Sequence, residues 1–155
     1  MNAGGRSRSR SQGFTLVELL IVVAIIGILA SIAMANLLNA LDKSKQKRSM
    51  SDLRTIGAAV EAYATDTTTY PHAITTWAAL KAIVNPYYFK SPPDADGWGT
   101  VWDAASTASG SDYTVASTGK DGTVGTRPGG QTSNFNCDIV YADGRFFQWP
   151  EGSQT

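Results

Sequence analysis

The sequence feature that most constrains this chain is an uninterrupted apolar run near its start. Every residue from Leu19 to Ala35 is apolar, Gly or Ser, and no Lys or Arg occurs between Ser11 and Asp42. A helix over Phe14 to Leu41 would be about 40 Å long, which exceeds the roughly 30 Å thickness of a bilayer's hydrocarbon core. The run therefore predicts a helix that can span a membrane.

The charged residues beside this run are few and unevenly placed. Arg6, Arg8 and Arg10 precede Phe14 without any acid, and Glu18 lies in the first turn of the predicted helix. The positive-inside tendency places such a basic segment in the cytoplasm. A carboxylate at the centre of a membrane helix costs roughly 2.5–3.5 kcal/mol on the insertion scale, so the position of Glu18 requires an explanation.

The helical pattern continues past the apolar run. Apolar residues recur at three- and four-residue spacing further along the chain, at Leu53, Ile56, Val60 and Tyr63. That spacing places them on one face of a helix. Because no Pro occurs from Phe14 to Tyr70, the sequence predicts one continuous helix of about fifty residues that is apolar all round at first and amphipathic later.

The remainder of the chain predicts shorter elements. The stretch "TTWAALKAIVNP" combines a Thr start, helical apolar spacing and a Pro stop, and it predicts a second helix. The region from Ser91 to Gly110 is loop-like, "DYTVAS" predicts a strand, and "CDIVYADGRFFQWP" predicts a hairpin whose Asp143-Gly144 pair suits a type I′ turn. We expect an α+β fold with a small antiparallel sheet against the apolar face of the long helix.

Charge and side-chain chemistry exclude several classes of function. Without the segment before Phe14 the chain has ten basic and thirteen acidic side chains, which gives no electrostatic reason to expect nucleic acid as a partner. One His and one Cys leave no set of nucleophile and base to assemble, so we expect no enzyme. A single cysteine, Cys137, forms no internal disulfide, and its apolar neighbourhood predicts a buried, inert thiol.

The N-terminal segment resembles the class III signal of type IV prepilins and type II secretion pseudopilins. A basic leader ends in Gly13, Phe14 follows, Glu18 stands at the fifth mature position, and the apolar run "FTLVELLIVVAIIGILASIA" is unbroken. The resemblance implies that a membrane prepilin peptidase cuts after Gly13 and methylates the new amine of Phe14. Residues 1–13 would then be a cleaved basic leader, 14–38 the transmembrane and filament-core helix, and 39–155 a periplasmic α+β head of the pilin fold.

The resemblance also gives Glu18 a role in assembly. Cleavage creates a cationic amine at Phe14 one helical turn from the Glu18 carboxylate, and two opposite charges at membrane depth can offset each other's cost. Glu18 resembles the family's glutamate that pairs with the N-terminal amine of a neighbouring subunit and so sets the register between subunits. Pairing within one chain is an alternative. An ordinary signal peptide with "AMA" at 33–35 is a weaker interpretation, because the apolar run exceeds an h-region of about 7–15 residues. A plain membrane anchor leaves Gly13-Phe14 and Glu18 unexplained.

Motifs in the head narrow the resemblance to major pseudopilins. "TYP" at 69–71, "DGWG" at 96–99 and "DYTVASTGKDG" at 112–122 look like the segments that close the long helix and build the head in that subfamily. The chain departs from it at Gly97, where the family has Pro, and at Ala35, where pilin-like helices usually carry Pro at the twenty-second mature position. Ala favours helix over Pro by about 3 kcal/mol, so we expect less helix melting near Ala35.

Several functional expectations follow from the resemblance. It implies a structural subunit of a pseudopilus in type II protein secretion, which self-assembles into a helical homopolymer. The implied partners are prepilin peptidase, an inner-membrane assembly platform and minor pseudopilins. It also implies a bacterial inner-membrane protein with a cytoplasmic N-terminus and a periplasmic head. A type IV pilus subunit for adhesion, motility or DNA uptake is the alternative, although such subunits commonly close a C-terminal loop with a disulfide that Cys137 alone cannot form.

Major pseudopilins bind calcium in the loop after the "S-x-G-x-DG" segment, and the resemblance implies a candidate Ca²⁺ site here. Asp121 matches the aspartate of that motif, Asp138 a later family aspartate, and Thr118 and Asn136 are further oxygen donors. Calcium takes six to eight oxygen ligands, so two carboxylates predict modest affinity. The alternative is that Asp121-Gly122 is a turn and Asp138 an acid at a strand edge.

Overall fold

The computed structural model describes residues 13–152 and 154. Two helices are followed by five strands: α1 (Leu16–Thr67), α2 (Trp77–Val84), β1 (Asp103–Ser106), β2 (Tyr113–Ser117), β3 (Gly130–Thr132), β4 (Ile139–Ala142) and β5 (Arg145–Pro150). The chain divides into two compact units, one ending at Leu38 and the other comprising Asn39–Thr155. Residues 1–12 of the predicted leader, with their arginines, lie outside the described residues.

Within the described residues, the N-terminal unit comprises a short segment at 13–15 and the first part of α1. The whole helix has 52 residues and is unbroken at Gly27 and at Ala35. An apolar window in α1 is long enough to cross a membrane by length and composition, and none of that window is buried within the chain. The continuous helix at Ala35 agrees with the high helix propensity of Ala relative to Pro.

The second part of α1 has the single buried face that the sequence predicts. Leu53, Ile56 and Val60 are all fully buried, and Gly57 lies on the same face. A Cβ on Gly57 would lie 2.2 Å from the ring of Tyr141 on β4, so only Gly allows the sheet to approach the helix this closely. Tyr63, the fourth predicted position, is half-buried.

Helix α2 begins and ends where its sequence signals predict. Thr76 is the N-cap and its side chain accepts a hydrogen bond from the Ala79 amide at 3.3 Å, which satisfies one unpaired donor of the first turn. The buried positions are Trp77, Leu80 and Val84. They join the core between the helices and the sheet, together with Trp102, Ala104, Tyr113, Val115 and Ile139.

The five strands form one sheet in the order β1-β2-β4-β5-β3. All neighbours are antiparallel except β3, which runs parallel to β5. Asp143 and Gly144 connect β4 to β5 with φ of 47° and 78°, and positive φ at both positions is the geometry of the predicted type I′ turn. The α+β prediction is thus confirmed, with a sheet that is mostly rather than wholly antiparallel.

Two strands were not predicted, and both are short. β1 lies within the region predicted to be a loop, because "DAAS" has no β-branched or aromatic residue. β3, "GQT", has three residues and begins with Gly. Both strands are held by pairing with strands that the sequence does predict: β1 pairs with β2, the next strand along the chain, and β3 pairs in parallel with β5.

Candidate functional site

Thr15 and Glu18 form a capping box at the start of α1. The amide and the hydroxyl of Thr15 both donate to Glu18 Oε2, at 2.8 and 2.7 Å, and the Glu18 amide donates to Thr15 Oγ1 at 3.2 Å. This reciprocal pattern satisfies backbone donors that a helix start leaves unpaired. The T-x-x-E signal is visible in the sequence, but the prediction considered only a charged partner for Glu18.

The predicted cleavage position lies just outside this cap. Gly13 and Phe14 precede the first helical residue, Leu16, and both are exposed. A Cβ placed on Gly13 would meet no atom of the described residues within 4 Å. Gly13 and Phe14 are therefore exposed within the described part of the chain, and the Glu18 carboxylate is held about one helical turn away.

The "DGWG" segment connects α1 to the sheet. Asp96 is buried and its Oδ1 accepts hydrogen bonds from the amides of Trp98 and Thr100 at 3.0 and 2.9 Å. Its Oδ2 accepts a 2.5 Å hydrogen bond from the hydroxyl of Ser117 on β2. One buried carboxylate thus closes the loop on itself and fixes it to the sheet.

Gly97, the departure from the family's Pro, has a specific contact. Its amide donates to Ser49 Oγ on α1 at 2.9 Å, a hydrogen bond that Pro cannot make. A Cβ at this position would lie 2.2 Å from the Lys45 carbonyl oxygen. The loop therefore lies against the backbone of α1. The hydrogen bond from Gly97 to Ser49 is found at the position where the family motif has Pro.

A second link joins α1 to the loop after β2. Lys120 Nζ lies 2.8 Å from Asp42 Oδ2, and Trp98 Nε1 donates to Asp42 Oδ1 at 3.5 Å. The hydrogen bond from Lys120 lowers the pKa of Asp42 below its ordinary value, despite an opposing effect of burial. No local pattern in the sequence predicts this pair, since its members are far apart in the chain.

The far end of α1 is held by a carboxylate between two tyrosines. Glu61 accepts hydrogen bonds from Tyr70 at 3.2 Å and from Tyr113 at 3.1 Å. Burial first, and then the negative charge of Glu61, raises the pKa of Tyr113 far above its ordinary value. Tyr113 is thus a neutral hydrogen-bond donor that ties β2 to the helix.

The two carboxylates of the predicted calcium site have different partners. Asp138 is fully buried, and both of its oxygens accept from the Gly125 amide at 3.2 Å, while Arg127 Nε donates to Oδ2 at 2.7 Å. Asp121 is exposed, and its Oδ1 accepts from the Thr123 amide at 3.0 Å. The Asp121 contact is that of a turn, as the alternative interpretation has it.

The other two predicted ligands lie on segments that the fold brings together. The Lys120 amide donates to the Phe135 carbonyl at 2.9 Å, and a Cβ on Gly119 would lie 2.8 Å from the Asn136 carbonyl. Thr118 is buried, and its hydroxyl has no hydrogen-bond partner among the described residues. The Asn136 side chain is exposed.

This donor set does not fit a calcium ion as it is arranged. Calcium takes six to eight oxygens, yet the buried carboxylate of Asp138 is already paired with a guanidinium. Across residues 13–152 and 154 no group of three or more His, Cys, Asp or Glu side chains is placed to hold a metal. Calcium binding stays a prediction from the resemblance, without support from these contacts.

Cys137 differs from its prediction. The thiol was expected to be buried, but the residue has intermediate exposure. The reason is local, because Cys137 lies in the bend before β4, where its amide donates to the Asn134 carbonyl at 3.1 Å. It precedes the buried strand and is not part of it.

Comparison with known families covers both units of the chain. The model of the prokaryotic N-terminal methylation motif matches residues 8–34. The model of the type II secretion system protein G family matches residues 36–135. The chain belongs to the type II secretion system protein G family. Membership confirms the assignment to the major pseudopilins that the sequence motifs gave.

Relatives from several bacteria extend this similarity over most of the chain. A type II secretion system core protein G from Pectobacterium carotovorum subsp. carotovorum is 31% identical over 149 residues, covering 88% of this chain and 92% of the relative. The protein of that name from Escherichia coli strain K12 is 31% identical and covers 78% and 90%. That from Pseudomonas aeruginosa is 30% identical and covers 76% and 89%.

Proposed function

We propose that this chain is the repeating structural subunit of a pseudopilus filament in type II protein secretion, assembled after prepilin peptidase cleaves between Gly13 and Phe14. The observation that carries the proposal is the presence in one chain of both matches, the methylation motif at 8–34 and protein G at 36–135. The role is mechanical: the filament helps to push folded substrates through an outer-membrane channel. The chain itself catalyses no reaction.

The N-terminal part of α1 supplies the membrane anchor and then the filament core. Its large apolar side chains are exposed, among them Leu16, Leu19 and Leu29, and an apolar surface of this extent requires lipid or protein cover. The subunit would lie in the bacterial inner membrane with the basic leader in the cytoplasm and the head in the periplasm. In the filament, copies of the same helix replace the lipid.

Glu18 has two partners in this proposal, one before and one during assembly. In the free subunit the Thr15 amide and hydroxyl both donate to Oε2 of its carboxylate. After cleavage the methylated amine of Phe14 on a neighbouring subunit becomes available as a partner, and unlike the neutral Thr15 donors it carries a positive charge. A charge-assisted contact at membrane depth is stronger than a neutral one. When a neighbouring subunit arrives in the correct register, its amine therefore replaces Thr15 as the hydrogen-bond partner of Glu18.

The partners follow from this sequence of events. Prepilin peptidase processes the leader, an inner-membrane assembly platform adds subunits to the base, and minor pseudopilins cap or initiate the homopolymer. Nucleic acid is not expected, because the processed chain has more acidic than basic side chains.

Deletion of the gene in its native host tests the function. We expect culture supernatants to lose type II secretion substrates, which accumulate in the periplasm, while motility and surface fibres are unchanged. Complementation with the wild-type chain restores secretion. Loss of retracting surface fibres with normal secretion would overturn the proposal and would favour a type IV pilus subunit.

A further inference from the structure

Arg127 lies in the loop between β2 and β3 and contacts two carboxylates. Its Nε donates to Asp138 Oδ2 at 2.7 Å, and its terminal nitrogen Nη2 lies 2.7 Å from Asp103 Oδ2. The guanidinium is largely buried between them, with 23% of its side chain exposed. The contact with Asp138 is a hydrogen-bonded ion pair, whereas the contact with Asp103 is an ion pair at short distance without the angle of a hydrogen bond. A planar guanidinium presents donors along several directions, so it can pair with two carboxylates at once.

The two carboxylates lie on opposite sides of β2, at the end where that strand finishes. Asp103 is the first residue of β1 and pairs with Ala116. Asp138 immediately precedes Ile139, which pairs with Ser117 from the other side. A single side chain of the loop therefore connects to β1 and to β4, and it fixes the loop over the end of β2.

Asp138 requires a cation at this position. Its side chain has no exposed surface, and an uncompensated buried carboxylate is strongly unfavourable. The loop backbone also closes around it, because a Cβ on Gly125 would lie 3.3 Å from Asp138 Oδ1. The Asp138 carbonyl accepts from Gln148 Nε2 at 2.8 Å, so the residue is held on both its side-chain and backbone oxygens.

We propose that Arg127 is the built-in cation of this loop and takes the place that the family resemblance assigns to calcium. The guanidinium neutralises Asp138, bridges to Asp103 and holds the loop on the sheet. A divalent cation at Asp138 would have to displace Arg127 Nε or lie beside another positive charge, and both are unfavourable. The folded head therefore does not depend on calcium.

The test uses the full-length chain in detergent micelles and thermal unfolding followed by tryptophan fluorescence. All four tryptophans, Trp77, Trp98, Trp102 and Trp149, lie in the head, so the signal reports that unit. The wild type is compared in millimolar calcium and in excess EGTA. We expect the two midpoints to agree within about 1 °C, because no calcium site contributes to stability. A midpoint higher by several degrees in calcium would overturn the proposal.

Arg127→Ala tests the arginine itself, and Arg145→Ala is the matched control. Arg145 is an exposed arginine on β5, where truncation has little effect. We expect Arg127→Ala to lower the midpoint by roughly 10 °C or more, because it leaves Asp138 buried without a partner. Equal midpoints for the two variants would contradict the proposal.

Arg127→Lys keeps the test informative if Arg127→Ala does not fold. Lys retains the positive charge but loses the planar fork that reaches both Asp138 and Asp103. We expect a folded head with a midpoint below that of the wild type and above that of any folded Arg127→Ala. An Arg127→Lys chain that needs calcium to reach the wild-type midpoint would also support the arginine as the replacement cation. An Arg127→Lys midpoint equal to that of the wild type would overturn the bridging role.

Discussion

Thr15 and Glu18 hold each other at the first turn of α1, through hydrogen bonds of 2.7 to 3.2 Å between one hydroxyl, one carboxylate and two amides. The Glu18 carboxylate is therefore already hydrogen-bonded within its own chain. Under the assembly role proposed above, the Phe14 amine of a neighbouring subunit would have to compete with Thr15 for this carboxylate.

Glu18→Ala and Glu18→Gln separate the two roles of this side chain. Gln preserves a hydrogen-bond acceptor for Thr15 but has no charge for the Phe14 amine. We expect both variants to be cleaved normally and to fold a normal head, while neither assembles filaments. Leader cleavage is read from gel mobility, and filaments from electron microscopy of overexpressing cells. Normal filaments from Glu18→Gln would show that charge is not required.

Gly57→Ala tests the close approach of α1 to the sheet. The added Cβ would lie 2.2 Å from the Tyr141 ring, and overpacking of this kind destabilises by about 1–3 kcal/mol. Gly27→Ala is the matched control on the same helix, since a Cβ there meets nothing within 4 Å in the described chain. Denaturant unfolding of the full-length chain in detergent should show a lower unfolding free energy for Gly57→Ala alone. Equal losses would contradict the packing described for Tyr141.

The Asp42–Lys120 pair predicts a pH dependence of stability. The pKa of Asp42 is lowered in the folded chain, so its stabilisation is present above the unfolded value of about 3.9 and is lost as the pH falls through the lower folded value. Lys120 is half-exposed, and so the contribution is at most about 1 kcal/mol.

Lys120→Met should reduce that pH dependence. We expect its unfolding midpoint to lie below that of the wild type at pH values above about 4 and to converge with it at lower pH. Lys90→Met, which removes an exposed loop lysine, controls for the loss of one positive charge. A constant difference between Lys120→Met and wild type across the acid range would contradict the assignment.

Local signals in the sequence were sufficient for the helices and the hairpin. The stripe at Leu53, Ile56 and Val60, the Thr76 cap and the Asp143-Gly144 turn are each determined by neighbours within a few residues, and each was predicted. The capping box at Thr15 and Glu18 is equally local, and the T-x-x-E pattern predicts it without any ionic partner for Glu18.

Contacts between distant parts of the chain were not predictable in the same way. Gly57 leaves room for the ring of Tyr141, and the Gly97 amide donates to Ser49. No local motif around either glycine predicts these contacts. No pattern in the Gly-rich loop predicts the ion pairs of Arg127. One of its partners, Asp103, begins β1, a strand that the sequence does not predict. The candidate calcium residues follow from the family resemblance. The motif carries no information about Arg127, which donates to Asp138 in the folded chain.

The mass of the mature chain isolated from membranes tests the central claim most directly. We expect a single species that lacks residues 1–13, begins at Phe14 and carries one added methyl group, as prepilin processing of this signal requires. An intact chain that retains Met1, or one cut after the "AMA" segment, would contradict the account of this chain as a processed pseudopilin subunit.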